Sequence, residues 1–208
     1  QIKISNRKIL IGLLQTLEIK DVISTTRIID KLDKIGEDGV RKSLSEEVGI
    51  SEQNIDTLLK LSTIKTRDAA ALKTALSALN VESEVFNEGL EELCFVLDYL
   101  SFMPDGAMIA DLSIVRGLDY YTGTVYETNL LDIPEFTSSV CSGGRYDDLA
   151  SSYINKKLPG VGISIGLTRL FSVLLENGYI KPAAKSPADI LMVLPSEDKR
   201  ALAQQTAQ

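Results

Sequence analysis

The run Arg116-Gly117-Leu118-Asp119-Tyr120-Tyr121-Thr122-Gly123 places one guanidinium and two phenols within six residues, beside glycines. Arginine presents a planar fork that matches phosphate or carboxylate. Two tyrosine hydroxyls offer donors and acceptors to a small polar ligand, and glycine lets that ligand approach the backbone closely. The segment reads as strand, so Tyr120 and Tyr121 are expected on opposite faces, with at most one lining a pocket with Arg116 unless the strand is bulged. Arg116 is flanked by Leu112, Ile114, Val115 and Leu118. A guanidinium so placed needs an anionic partner, which is either a bound anion or one of Asp111 and Asp119.

Two further stretches carry unusual chemistry. In Gly160-Val161-Gly162-Ile163-Ser164-Ile165-Gly166 the alternation of a strand leaves one face almost without side chains and makes the other a core face. A bare face can floor a flat ring such as a purine, or it can pack tightly against another backbone. Its glycine spacing is not the dinucleotide fingerprint. Arg169 follows in the first turn of the next helix, where a cation opposes the helix dipole and serves a bound anion or a surface ion pair. Ser142-Gly143-Gly144-Arg145-Tyr146-Asp147 is expected to end a strand and enter a helix capped by Asp147. Arg145 and Tyr146 either support the fold or line a pocket.

Composition narrows the chemistry. The 208 residues contain no histidine, which removes Ser-His-Asp triads, Cys-His pairs and zinc sites with histidine ligands. Chemistry must run on Arg, Lys, Tyr or carboxylates. The two cysteines, Cys94 and Cys141, fit neither a metal spacing nor a disulfide framework, so a reducing, cytoplasmic setting is expected. Charges of 22 and 29 leave a net −7, so any nucleic-acid contact needs a local patch. Lys60, Lys65, Arg67 and Lys73 form a small basic cluster, for which ordinary surface charge is the simpler reading. Glu82, Glu84, Glu88, Glu91, Glu92 and Asp98 read as a solvated helix face. No segment approaches the ~20 apolar residues of a membrane span.

The elements that must position these groups follow from periodicity. Ile2 and Ile4 alternate with Lys3 and Ser5 as a strand, and Asn6 can cap a helix bearing Ile9, Leu10, Leu13, Leu14 and Leu17. Helical spacing then continues from residue 20 to 102, with helices expected over 22–35, after Ser51, over 67–79 and over 82–102. From Met108 the period becomes that of strands, over 108–115, 118–130, 138–142 and 161–165, with a turn at Ile133-Pro134-Glu135. A short helix over 148–153 and one over 167–177 complete this part. Residues 181–187 have linker composition, and a strand over 188–194 with a helix from Ser196 opens a further domain.

Together these stretches resemble histidyl-tRNA synthetase, a class II aminoacyl-tRNA synthetase. Arg116–Gly123 matches that family's first signature, Ser142–Asp147 looks like its second, and Gly160–Leu170 looks like class II motif 3. The resemblance implies an α+β fold, an antiparallel sheet flanked by helices. Residues 1–20 and 103–180 would form the catalytic core, 21–102 an all-helical insertion module, 181–187 a linker and 188–208 the start of an anticodon-binding domain.

The implied activity is ATP-dependent activation of histidine to its adenylate and transfer to tRNA-His, with Mg2+ bridging phosphates and a homodimer as the assembly. By the same analogy Arg116 is the catalytic residue and contacts the histidine carboxylate and α-phosphate. Tyr120, Tyr121, Gly143 and Gly144 border the histidine. Gly162, Ser164 and Gly166 floor the adenosine, and Arg169 meets the γ-phosphate. No protein metal ligand set is implied. The helical module would clamp the tRNA acceptor arm. A paralogue that does not charge tRNA, such as the regulatory subunit of ATP phosphoribosyltransferase, is the alternative. Motifs 1 and 2 and most of the anticodon domain have no counterpart in the sequence, which therefore reads as a piece of a longer enzyme. Because motif 2 supplies an α-phosphate arginine, these 208 residues alone are expected to give no histidine-dependent ATP–pyrophosphate exchange. Exchange above background would refute that expectation.

Overall fold

A computed structural model describes residues 1–115, 120–181, 191–193 and 196–206. It divides into two compact units, residues 1–167 and 168–208. In the first, Ile2–Asn6 is strand β1, and the Asn6 side chain accepts from Lys8 N at 3.0 Å to start helix α1, Arg7–Thr16. This satisfies one of the amide groups that a helix N-terminus leaves without an internal partner.

Helix α2, Val22–Ile29, is capped by Asp21. It does not run on to Ile35 as periodicity predicts. The chain restarts as helix α3, Leu32–Ser43, and Gly36 inside it has φ 71°, a left-handed turn that glycine adopts without a steric cost. Ile35 is consequently exposed and does not join Ile28 and Ile29 in the core. A π-helical turn over Leu44–Val48 closes on Gly49, and helix α4, Glu52–Ser62, follows its Ser51 cap. Lys65–Thr66 is strand β2. Helices α5, Ala69–Ser77, and α6, Glu84–Tyr99, are capped by Asp68 and Ser83 and are shorter than their apolar periods. The stripes read from spacing are buried: Ile55, Leu58 and Leu59, then Leu72 and Leu76, then Phe86, Leu93 and Leu97.

Strand β3, Met108–Asp111, returns the chain to the sheet. Strands β4, Thr124–Thr128, β5, Cys141–Tyr146, and β6, Gly160–Ile165, complete it. The order is β2-β3-β1-β4-β5-β6, with β1 parallel to β3 and every other pair antiparallel. β4 starts six residues later than the expected 118, and the chain before it is described from Tyr120. β5 runs on to Tyr146 instead of stopping at Ser142, because all its residues from Cys141 to Tyr146 pair with β6. The short helix beyond is a 3-10 turn over Leu149–Ser152 with no side-chain cap, so Asp147 does not have the capping role expected of it.

Asp111 is fully buried at the end of β3. Lys65 Nζ at 3.1 Å and Lys3 Nζ at 3.6 Å supply its counter-charge, and Ser113 donates to it through backbone and hydroxyl. A buried carboxylate requires such partners. Arg67 is paired with Asp105. Two members of the expected basic cluster are thus spent on fastening β2 and its neighbours to the sheet.

Helix α7, Leu167–Glu176, all but its first residue in the second unit, ends at Gly178 with φ 75°. A 3-10 turn over Glu197–Lys199 leads into helix α8, Arg200–Thr206. Most of the expected linker and of the strand over 188–194 lies outside the described residues. Leu191, Met192 and Val193 are exposed and form no strand, unlike the buried strand expected there. Among the described residues no helix is long and apolar enough to cross a membrane.

Helices α1 and α6 touch through glycine. A Cβ on Gly12 would stand 2.6 Å from Phe86 Cβ, and one on Gly89 would stand 2.7 Å from Lys8 Cβ and 2.9 Å from Ile9 N. Gly→Ala inside a helix ordinarily stabilises by up to ~1 kcal/mol. At Gly89 overpacking reverses the sign, and Gly89→Ala is expected to destabilise by ~1–3 kcal/mol. A lowered urea midpoint with an unchanged slope is the measurement.

Candidate active site

Strand register sorts the side chains onto two faces of the sheet. Ile2, Ile4, Met108 and Ala110 share one face, on which Val96 of α6 and Leu100, just after it, also lie near Ile2, Ile4 and Met108. Thr124, Tyr126, Thr128 and Arg145 share this largely apolar face. The other carries Lys3, Ser5, Asp111, Glu127, Ser142, Gly144, Tyr146, Gly160, Gly162 and Ser164. Ser5, Asp111 and Glu127 are buried there. Burial of such groups costs free energy unless it is compensated, as Lys3 and Lys65 compensate Asp111.

The tyrosines stand on this polar face as one cluster. Tyr120 and Tyr121 have ring centroids 4.6 Å apart at 61°, and Tyr120 meets Tyr146 edge-on at 6.1 Å and 86°. Tyr120 and Tyr121 therefore do not diverge to opposite faces as a strand would require. Residues 120–123 are not strand: Thr122 N donates to Arg145 O at 2.9 Å, and Arg7 N donates to Gly123 O at 3.0 Å. Tyr121 Cδ1 lies 2.9 Å from where a Cβ on Gly144 would stand, so only glycine admits the ring. Burial, then its contact with Tyr120, pushes the Tyr121 phenol up to about 12. It is a neutral donor at physiological pH.

For Tyr146 the sequence leaves a supporting and a pocket-lining role open, and the family resemblance assigns it none. Tyr146 lies over the bare part of β6, with ring carbon Cε2 2.6 Å from the Cβ position of Gly160 and its hydroxyl 3.0 Å from that of Gly162. The bare strand receives this ring, and Ser164 stays exposed beyond it. The signal was available: Tyr146 is two residues after Gly144, hence on the same face once both belong to one strand. Gly143 is placed on the opposite face, where a Cβ would run into the Gly162 carbonyl and Tyr126, whose hydroxyl donates to Gly162 O at 2.5 Å. It closes the strand pairing beside Tyr126 and does not border Tyr120, Tyr121 or Tyr146. Gly166 donates its N–H to Val140 O at 2.9 Å.

Val161, Ile163 and Ile165, expected as a core face, are 59–70% exposed. The first two line a cavity of about 780 Å3 that Val96, Leu100, Tyr126 and Arg145 also bound, on the face of the sheet opposite Tyr146. Arg169 is exposed in the first turn of α7, in the second unit. Arg116 lies outside the described residues. The acids of α6 are not simply a solvated face. Lys8 Nζ binds Glu88 at 2.5 Å and Glu92 at 2.7 Å, and Asn6 Nδ2 donates to Glu92 at 2.7 Å.

The family model described as Histidyl-tRNA synthetase matches residues 1–170. The chain belongs to the histidyl-tRNA synthetase family. It is 46% identical over 202 residues to a histidine–tRNA ligase of Thermobifida fusca, and 49% identical over 199 residues to one of Clostridium tetani. These alignments cover 97% and 95% of the chain but 46% and 45% of the relatives, so the chain spans about half their length. Among solved structures, a histidyl-tRNA synthetase from Nostoc sp. PCC 7120 aligns over 99% of this chain and 48% of its own, with 40% identity and a TM-score of 0.79. An ATP phosphoribosyl transferase complex from Thermotoga maritima, at 18% identity and a TM-score of 0.51, shares the fold alone.

The two adjacent glycines are expected to fail differently. Gly143→Ala sets a methyl against the Gly162 carbonyl and is expected to cost ~1–3 kcal/mol by separating β5 from β6. Amide exchange at Ile163 and the urea midpoint measure it. Gly144→Ala displaces Tyr121 on the other face, read as loss of the nuclear Overhauser contact between the Tyr121 ring and residue 144.

Proposed function

We propose that this chain is the part of a histidine–tRNA ligase that lines the amino-acid side of the adenylation site. The observation that carries the reading is the tyrosine cluster on the polar sheet face, built from both signature segments of a family to which residues 1–170 belong. The Tyr121 hydroxyl, neutral at physiological pH, and the Tyr146 hydroxyl supply hydrogen bonds to the imidazole and amino groups of histidine. Tyr120 supports both rings.

Arg116, adjoining this cluster in the sequence, is the residue assigned to the histidine carboxylate and the α-phosphate. Negative charge develops there as the carboxylate oxygen attacks phosphorus and pyrophosphate leaves. Such transfers depend on positioning and charge stabilisation more than on covalent chemistry by the protein. Ser164 and Gly166 are assigned to the adenosine side and Arg169 to the γ-phosphate. Gly162, covered by Tyr146, acts by admitting that ring. Among the described residues no group of three or more His, Cys, Asp or Glu could hold a metal. Mg2+ in this reading travels with ATP, held by phosphate oxygens and water. tRNA-His is the acceptor in the second step, a homodimer in the cytoplasm is the working form, and the helical stretch faces the acceptor arm.

The test is a chimera in which this chain replaces the matching half of the Thermobifida fusca enzyme. Histidine-dependent ATP–pyrophosphate exchange is expected from the folded chimera, and Arg116→Ala in it is expected to abolish exchange without moving the melting temperature. A folded chimera without exchange, beside an active parent enzyme, overturns the reading.

A further inference from the structure

Asp147 does not cap the turn that follows it, and it lies next in sequence to Tyr146. Its carboxylate accepts from Thr122 Oγ1 at 2.8 Å, and from Arg145 Nε at 3.0 and 3.2 Å. Thr122 is next in sequence to Tyr121 and is held a second time, through its N–H on the Arg145 carbonyl. One carboxylate therefore joins the neighbour of one site tyrosine to the neighbour of the other. The segment between them is pressed down as well. A Cβ on Gly123 would stand 3.2 Å from Arg145 Cδ and 3.4 Å from Glu92 Oε2. Glu92 is in turn fixed by Asn6 and Lys8.

We propose that Thr122, Asp147 and Arg145 form a positioning clamp that sets Tyr121 and Tyr146 at the distance the amino acid requires, and that Asp147 is its keystone. The clamp rests on the histidine-site reading for its purpose, and on the hydrogen bonds alone for its geometry. It is not there for stability. The side chains of Arg145 and Asp147 are 50% and 29% exposed, and ion pairs so exposed contribute little. What the pair does is fix direction: the guanidinium turns the carboxylate so that its second oxygen meets the Thr122 hydroxyl. Burial raises the Asp147 pKa, but the bonds from Thr122 and Arg145 outweigh it and hold the carboxyl below its ordinary range. At neutral pH the group is an acceptor, as the clamp needs.

The variants are Thr122→Val, which keeps the shape and loses the hydroxyl, Thr122→Ser, which restores it, and Asp147→Ala. In this chain, labelled for nuclear magnetic resonance, Thr122→Val and Asp147→Ala are expected to lose the contacts of the Tyr121 ring with Gly144 and of Tyr120 with Tyr146. Core methyl signals of Leu13 and Leu72 stay in place. Thr122→Ser is expected to regain both contacts. In the chimera, Thr122→Val is expected to raise KM for histidine by roughly tenfold, in keeping with loss of a hydrogen bond to a charged group, with kcat little changed. Unaltered ring contacts in either folded variant, or no rescue by serine, overturn the clamp. Absence of exchange from the unsubstituted chimera bears on the histidine-site reading alone, and the ring contacts still decide the clamp.

Discussion

Strand β1 carries hydrogen bonds on both edges, and the rest of the first unit depends on that. Its residues pair with Met108–Ala110 on one side and with Thr124–Thr128 on the other. A strand of five residues cannot hold itself in place, and neither neighbour is close to it in sequence. The pairing with β3 closes an excursion of roughly a hundred residues, a closure whose entropy cost grows only slowly with length. The helices of that excursion bury their own stripes, and α1 and α6 then bring them onto the sheet through contacts that only glycine permits.

Once β1 is placed, alternation does the rest. The register gathers Ile2, Ile4, Met108 and Ala110 on one face and Lys3, Asp111 and Glu127 on the other. Buried charge must be matched, and Lys65 and Lys3 match Asp111 from two different strands. That same pair ties the helical stretch to the sheet through β2. The polar face is thus held by its own electrostatics. The glycines of β5 and β6 divide their work between the faces: Gly144, Gly160 and Gly162 admit tyrosine rings, and Gly143 lets two strands close.

Much of this was legible in the residues. Side-chain oxygens at Asn6 and Ser51 announced helix starts, because the capping bond is local, and Asp21, Asp68 and Ser83 cap in the same way without having been read so. The apolar stripes of α4 to α6 were legible for the same reason. One failure was local: the helix expected over 22–35 ended at Ile29, and the next one turns left-handed at Gly36. The others were non-local. Asp147 looked like a cap and is a clamp, because strand pairing carried β5 past Ser142 and set the carboxylate beside Thr122. Glu88 is exposed as expected, but Glu92 is drawn in by Lys8 and Asn6, from residues some eighty positions earlier. The apolar side of β6 looked like core and stands exposed.

The sequence by itself determined which chemistry is possible. With no histidine, chemistry runs on arginine, lysine, phenol and carboxylate, and residues 1–170 match the family. Side-chain type and near-neighbour spacing are properties of the chain, so they survive without a fold. Only the tertiary structure decided that Tyr120, Tyr121 and Tyr146 form one cluster, that Gly144 belongs to it and Gly143 does not, and that Asp147 joins its two halves. Those facts depend on register and on where a strand begins. Both are fixed by hydrogen bonds between residues distant along the chain, and a shift of one residue would exchange the two faces.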